Sequence, residues 1–140
     1  VTQVAQAAKL RDWQIVDARS PERFAGTAPE PRPGLRAGHV PGSCNLPYGD
    51  LLNPDGTMKD ADGLRAAFEA AGVDLGRPVI TTCGSGVTAA ILTLALARLG
   101  HDRNALYDGS WAEWGRFAEL AVETGPAAAS AEAGAGSAGA

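Results

Sequence analysis

The sequence predicts an α/β domain whose parallel sheet is covered by helices on both faces. Three observations carry that prediction. Short runs rich in β-branched residues alternate along the chain with segments of helical character, the order that builds right-handed βαβ crossovers. The runs read as buried strands of a few residues rather than as amphipathic ones. The length, 140 residues, suits a single domain of ordinary size.

The elements follow in order. Residues 2–10 have modest helical character, as a lead-in helix or the end of a linker. Residues 14–18 (QIVDA) read as a short buried strand, and Ser20 followed by Pro21 reads as an N-cap with proline at the first helical position. Residues 26–42 hold four prolines and four glycines, which makes them a long irregular loop of the kind that is usually functional or disordered. A second strand over residues 43–46 leads into a helical turn at 48–52. Leu64, Ala67, Phe68 and Ala71 share one helix face, and Gly72 is placed to end that helix. Residues 78–82 (PVITT) form the next strand, a glycine-rich turn follows, and residues 87–99 read as a helix apolar nearly all round. Such a helix is expected to be largely buried. Residues 105–107 make the last strand. Ser110 and Glu113 have capping-box spacing and predict a helix with Trp114, Phe117, Ala118 and Ala121 inward.

Composition divides the chain. Hydrophobic residues make up 45%, but 28 of them are alanine; Leu, Ile, Val and Phe together number 27 of 140. That share, about 19%, sits just under the ~20% where disorder becomes a reading. The large net charge that accompanies disorder is missing, at −4 with 20% charged residues. Residues 125–140 carry eight alanines and four glycines and no bulky apolar side chain, so they account for much of the dilution. The expected organisation is a linker and lead-in helix over 1–13, a folded domain over 14–124 and a disordered Ala/Gly-rich tail over 125–140.

Several function classes fall away. No apolar run approaches the ~18 residues that cross a bilayer, and the chain opens without the basic and apolar regions of a secretory signal. Two cysteines, Cys44 and Cys83, are too few for a disulfide scaffold and lack metal-site spacing. With 12 basic against 16 acidic residues, nucleic acid is not the expected partner. A reduced, cytoplasmic setting without metal or cofactor is the expectation.

The chemistry concentrates in residues 81–88 (TTCGSGVT). Cys83 stands at the carboxyl end of a buried strand, the place where open α/β sheets bind ligands. Gly84 and Gly86 let successive backbone N–H groups converge into an anion-binding nest, and the following helix adds its positive N-terminal end. Both would stabilise a thiolate, making Cys83 a nucleophile. The alternative is a buried structural cysteine beside a loop that packs tightly; the paired glycines and the strand-end position weigh toward the reactive thiol. Cysteine phosphatases need an arginine six positions after the cysteine and commonly carry histidine before it. Here those positions hold Ala89 and Thr82, which argues against phosphoryl chemistry. A protease would need a histidine base, and His39 and His101 read instead as packed and solvated loop residues.

Six segments taken together resemble the rhodanese superfamily, in particular the C-terminal catalytic domain of its mercaptopyruvate-preferring sulfurtransferases. They are residues 16–19 (VDAR), 23–26 (RFAG), 29–32 (PEPR), 38–42 (GHVPG), 83–88 (CGSGVT) and 107–114 (YDGSWAEW), in the family's order. The resemblance implies a rhodanese-like three-layer domain with a five-stranded parallel sheet. It also implies a ping-pong reaction: Cys83 takes sulfur from 3-mercaptopyruvate or thiosulfate as a persulfide, then passes it to a thiophile such as cyanide, thioredoxin or a small thiol.

By the same resemblance, Cys83 and Ser85 are the catalytic pair, with Ser85 assisting proton movement. Gly84, Gly86, Val87 and Thr88 complete the persulfide-binding loop. Arg23 and Arg32 match the positions that hold the substrate's carboxylate and keto group, a task suited to the planar guanidinium. The alternative for these arginines is pairing with Glu22 and Glu30; Arg19 and Arg36 stay unassigned. Neutral Gly84 and Ser85 fit mercaptopyruvate better than dianionic thiosulfate. Asp17, Cys44, Trp111 and Trp114 lean structural. The family's full enzymes have two such domains with the site between them, so an N-terminal partner domain is expected to supply one wall of the cleft. A persulfide carrier or protein-interaction module without efficient donor turnover is the alternative function.

Overall fold

The computed structural model describes residues 2–10, 12–30, 34–84, 88–107 and 109–125. The elements run α1 (Thr2–Leu10), β1 (Gln14–Asp17), α2 (Pro21–Ala25), β2 (Cys44–Asn45), a 3-10 turn (Tyr48–Leu51), α3 (Ala61–Ala70), β3 (Val79–Thr82), α4 (Ala89–Arg98), β4 (Asn104–Leu106) and α5 (Ser110–Trp114). The strands pair in parallel in the order β2-β1-β3-β4. The four strands are those the hydrophobic runs predict. The fifth implied by the resemblance does not occur among the described residues; residues 2–10 ahead of β1 are helical.

Side chains alternate across the sheet and so feed two separate cores. Val16 and Val79 meet Leu64 and Phe68 of α3, Leu92 and Leu96 of α4, and Leu51. Ile15 and Ile80 meet Val4 and Ala7 of α1 and Trp111 and Trp114 of α5. Three layers result. Burying each large side chain contributes roughly 1.5–3 kcal/mol, so the two faces are comparably anchored.

The end of α3 shows how local chemistry sets the boundaries. Gly72 adopts φ +86. Its N–H donates to the Glu69 carbonyl and that of Val73 to the Phe68 carbonyl, both at 3.0 Å, which satisfies carbonyls the helix leaves open. At α2, Ser20 Oγ accepts the Arg23 N–H at 3.3 Å, as its sequence position predicts.

Two helix expectations change. Helix α4 is not buried all round: Leu92, Ala95 and Leu96 are buried, but Leu94 is 54% exposed. Strands β3 and β4 and the 3-10 turn cover only one side of it, and apolar residues on the other side remain in water. Helix α5 ends at Trp114, and Ser110 makes no capping bond. Phe117 is left 39% exposed. The reason lies in the tertiary structure, since the Ser110 and Glu113 side chains are committed elsewhere. Glu113 accepts the Tyr107 hydroxyl at 2.5 Å, while burial and this acidic neighbour push the Tyr107 pKa up.

The long loop is pinned rather than loose where it is described. His39 stacks on Phe24 with ring centroids 3.7 Å apart and points Nδ1 at the Phe24 carbonyl at 2.7 Å. Because a carbonyl only accepts, Nδ1 carries the hydrogen. Arg36 donates to the carbonyls of Trp114, Gly115, Phe117 and Leu120, closing the chain that leaves α5.

Candidate active site

The chain steps from β1 to β2 on one flank, then crosses back past β1 to β3 and on to β4 on the other, so the direction of winding reverses between β1 and β3. The crevice of an open α/β sheet forms at such a reversal, outside the carboxyl ends of the two strands. Asp17 pairs with Thr82 at the end of the β1–β3 ladder, and the Ala18 N–H donates to the Thr82 carbonyl at 2.8 Å. The residues that follow, Arg19 on one side and Cys83 on the other, flank the crevice.

Cys83 is 1% exposed, and its backbone is held at both ends. Its N–H donates to Ser110 Oγ at 3.1 Å, and its carbonyl accepts the Trp111 N–H at 2.9 Å. The Gly84 carbonyl accepts the Ala112 N–H at 2.8 Å. Ser110 stands at φ +51, a strained conformation for a residue with a side chain. Its hydroxyl donates to the Tyr107 carbonyl at 2.8 Å while accepting from Cys83. The first turn of α5 therefore fixes the chain at the cysteine. Sequence spacing read Ser110 as a cap, and nothing local distinguishes a cap from a hydroxyl recruited by a strand end 27 residues away.

Arg23 lies on α2, one turn past β1. Its guanidinium rests against Gly84: a Cβ there would stand 2.9 Å from Nη2 and 3.6 Å from Nη1. The side chain is 29% exposed and donates from Nη2 to Glu30 Oε1 at 2.8 Å. The two readings of Arg23, a group at the loop and a partner of Glu30, therefore hold together.

Arg19 serves a different purpose. Nε donates to both Asp17 oxygens at 3.1 Å, and Nη2 donates to Asp17 Oδ2 at 2.8 Å and to the Gly38 carbonyl at 2.6 Å. Nη1 reaches Glu30 Oε2 at 3.2 Å, and the guanidinium lies 4.6 Å from the centre of a Trp111 ring. With these donors engaged, Arg19 is part of the wall. Asp17 has the structural role its position implied.

Thr88 occupies the N-cap position of α4 without a side-chain cap bond. Arg32, Ser85, Gly86 and Val87 lie outside the described residues, as does the tail beyond residue 125. Cys44 pairs with Val16 in β1 and packs against the first core, where burial raises its pKa. His101 caps a turn, with Nε2 2.9 Å from the Arg77 carbonyl. Among the described residues no helix is long and apolar enough to cross a membrane.

A three-layer open α/β domain that fixes a cysteine at its switch point beside a guanidinium defines the class. The chain belongs to the rhodanese-like domain family, which matches residues 1–116. It is similar to the 3-mercaptopyruvate sulfurtransferase of Escherichia coli (strain K12), at 49% identity over 123 residues, 88% of this chain and 43% of that protein. It is 46% identical over 113 residues to the thiosulfate sulfurtransferase of Bos taurus, covering 80% of this chain and 38% of that protein. Among solved structures, the Tum1 protein of Saccharomyces cerevisiae superimposes with a TM-score of 0.74 at 38% identity, covering 86% of this chain and 43% of that one. The chain thus spans less than half the length of these relatives.

Proposed function

We propose that this chain is the catalytic half of a two-domain sulfurtransferase, with Cys83 as the nucleophile. The observation that carries the reading is the placement of Cys83 and Arg23 at one strand-end crevice within a rhodanese-like fold. The Cys83 thiolate attacks the sulfur of 3-mercaptopyruvate. The carbon–sulfur bond breaks with its electron pair going to carbon, and the enolate so formed takes a proton to become pyruvate. Cys83 is left as a persulfide. A thiophile such as cyanide, thioredoxin or a small thiol then attacks the outer sulfur and returns the thiolate.

Arg23 and Arg32 hold the donor's carboxylate and keto group, Ser85 moves the proton, and Gly84, Gly86, Val87 and Thr88 complete the loop around the sulfur. The catalytic unit is residues 14–124, with 1–13 leading in from the partner domain and 125–140 a solvated tail. A reducing cytoplasm suits a cycle that must end on a thiolate.

Mass measurement after incubation with mercaptopyruvate tests the reading. A gain of one sulfur atom at Cys83 is expected, and Cys83→Ser abolishes both the gain and pyruvate release; retained pyruvate release would refute it. In the full-length protein, kcat/KM for mercaptopyruvate exceeds that for thiosulfate because Gly84 and Ser85 add no cation for a dianion. The reverse ratio overturns the donor assignment. The short coverage of the relatives favours one second reading, a persulfide carrier, which the same measurement reveals as sulfur gain without repeated turnover.

A further inference from the structure

We propose that Glu30 is a positioning residue that aims Arg23 at the crevice. The inference rests on the reading above, in which Arg23 holds the carboxylate of the sulfur donor. Glu30 lies in the long loop, yet its side chain is 1% exposed. A buried carboxylate is costly unless it is paired, and Glu30 is paired twice. Oε2 accepts from Arg19 Nη1 at 3.2 Å and from Arg23 Nε at 3.5 Å, while Oε1 accepts from Arg23 Nη2 at 2.8 Å.

The two arginines are not equivalent. Arg19 is locked between Asp17, Gly38 and Trp111, so it fixes Glu30 to the end of β1. Glu30 in turn grips the Nε/Nη2 edge of Arg23. Nη2, held by Glu30, is the nitrogen nearest Gly84, at 2.9 Å from the position of a Cβ there, while Nη1 forms no hydrogen bond to any described residue. A chain of fixed contacts, Asp17 to Arg19 to Glu30 to Arg23, therefore carries the rigidity of the sheet to a half-exposed guanidinium. Without Glu30, the long Arg23 side chain would sample many rotamers, and ordering it would weaken ligand binding. Glu22, the other acid near these arginines, is exposed and makes no such contact among the described residues.

A double-mutant cycle tests the inference. The Kd for pyruvate and kcat/KM for mercaptopyruvate are measured in the wild type, Glu30→Gln, Arg23→Ala and the double variant. Glu30→Gln is expected to weaken pyruvate about tenfold, within the usual range for coupled neighbours, and to raise KM more than it lowers kcat. In the Arg23→Ala background the same substitution changes neither quantity further. Losses that simply add would show that Glu30 supports the fold and not Arg23, and would overturn the proposal. So would a wild type that does not bind pyruvate. Should Glu30→Gln fail to fold, Glu30→Asp, shorter by one methylene, must show the weakening; undiminished binding overturns it. Coupling in pyruvate binding without sulfur gain at Cys83 would refute the sulfurtransferase reading and leave this one standing.

Discussion

Replacing Gly84 by alanine separates the site from the fold. Gly84 is not among the residues with positive φ, so its backbone accepts a side chain. The new Cβ would meet Arg23 Nη2 at 2.9 Å, whereas ordinary contact begins at 3.4 Å. The guanidinium must therefore retreat by roughly half an ångström to one ångström. It is the end of a flexible side chain, and the stability cost should stay below about 1 kcal/mol. Under the proposed function, in which Arg23 holds the donor, activity is less tolerant, because misplacing such a group by about 1 Å can cost about 100-fold. The expected result is an unchanged melting curve with kcat/KM for mercaptopyruvate lowered by about 10- to 100-fold, mostly through KM.

Gly38→Ala is the control. Gly38 sits at φ +126, and a Cβ there collides with the Glu123 carbonyl oxygen and with Val122 Cγ1 at 2.6 Å. Backbone cannot retreat as a side chain does, so this variant loses about 3 kcal/mol or more. Unchanged kinetics in a folded Gly84→Ala protein would refute the placement of Arg23 against the loop. Unfolding by Gly84→Ala would show that the backbone, and not Arg23, fills that space.

The buried charges and the alkaline limb offer two more tests. Arg19→Met leaves the Asp17 and Glu30 carboxylates in the interior without their shared cation, and about 3–5 kcal/mol of stability should be lost in urea titration; a loss under about 1 kcal/mol would contradict the network. Burial raises the pKa of Cys44 above 9.0, and burial with Glu113 raises that of Tyr107 above 10.0. The unfolded chain then releases these protons first, so stability is fully present below pH 9 and falls as pH rises beyond it. Cys44→Ala with Tyr107→Phe should flatten the fall of melting temperature above pH 9, and an unaltered slope would assign it to other groups.

What the residues determined by themselves was local or periodic. Hydrophobic runs placed four strands, helical spacing placed α3, and Ser20 with Pro21 placed α2, because each signal lies within a few residues of its effect. The strand–Cys–Gly motif singled out Cys83 as a candidate for the same reason, whereas Arg23 was singled out only by the family resemblance. The tertiary structure decided what depends on distant partners. It showed α4 covered on one side only, which depends on what packs against it rather than on its own composition. Ser110 became a clamp on Cys83 across 27 residues instead of a helix cap. The separation of Arg19 from Arg23 was also invisible in the sequence: both stand near the same glutamate, and only the fold buries one against Trp111 and leaves the other at the crevice. Burial and hydrogen-bond partnership belong to the packed chain, so the same residue type four positions apart became a wall before α2 and a candidate substrate ligand on it.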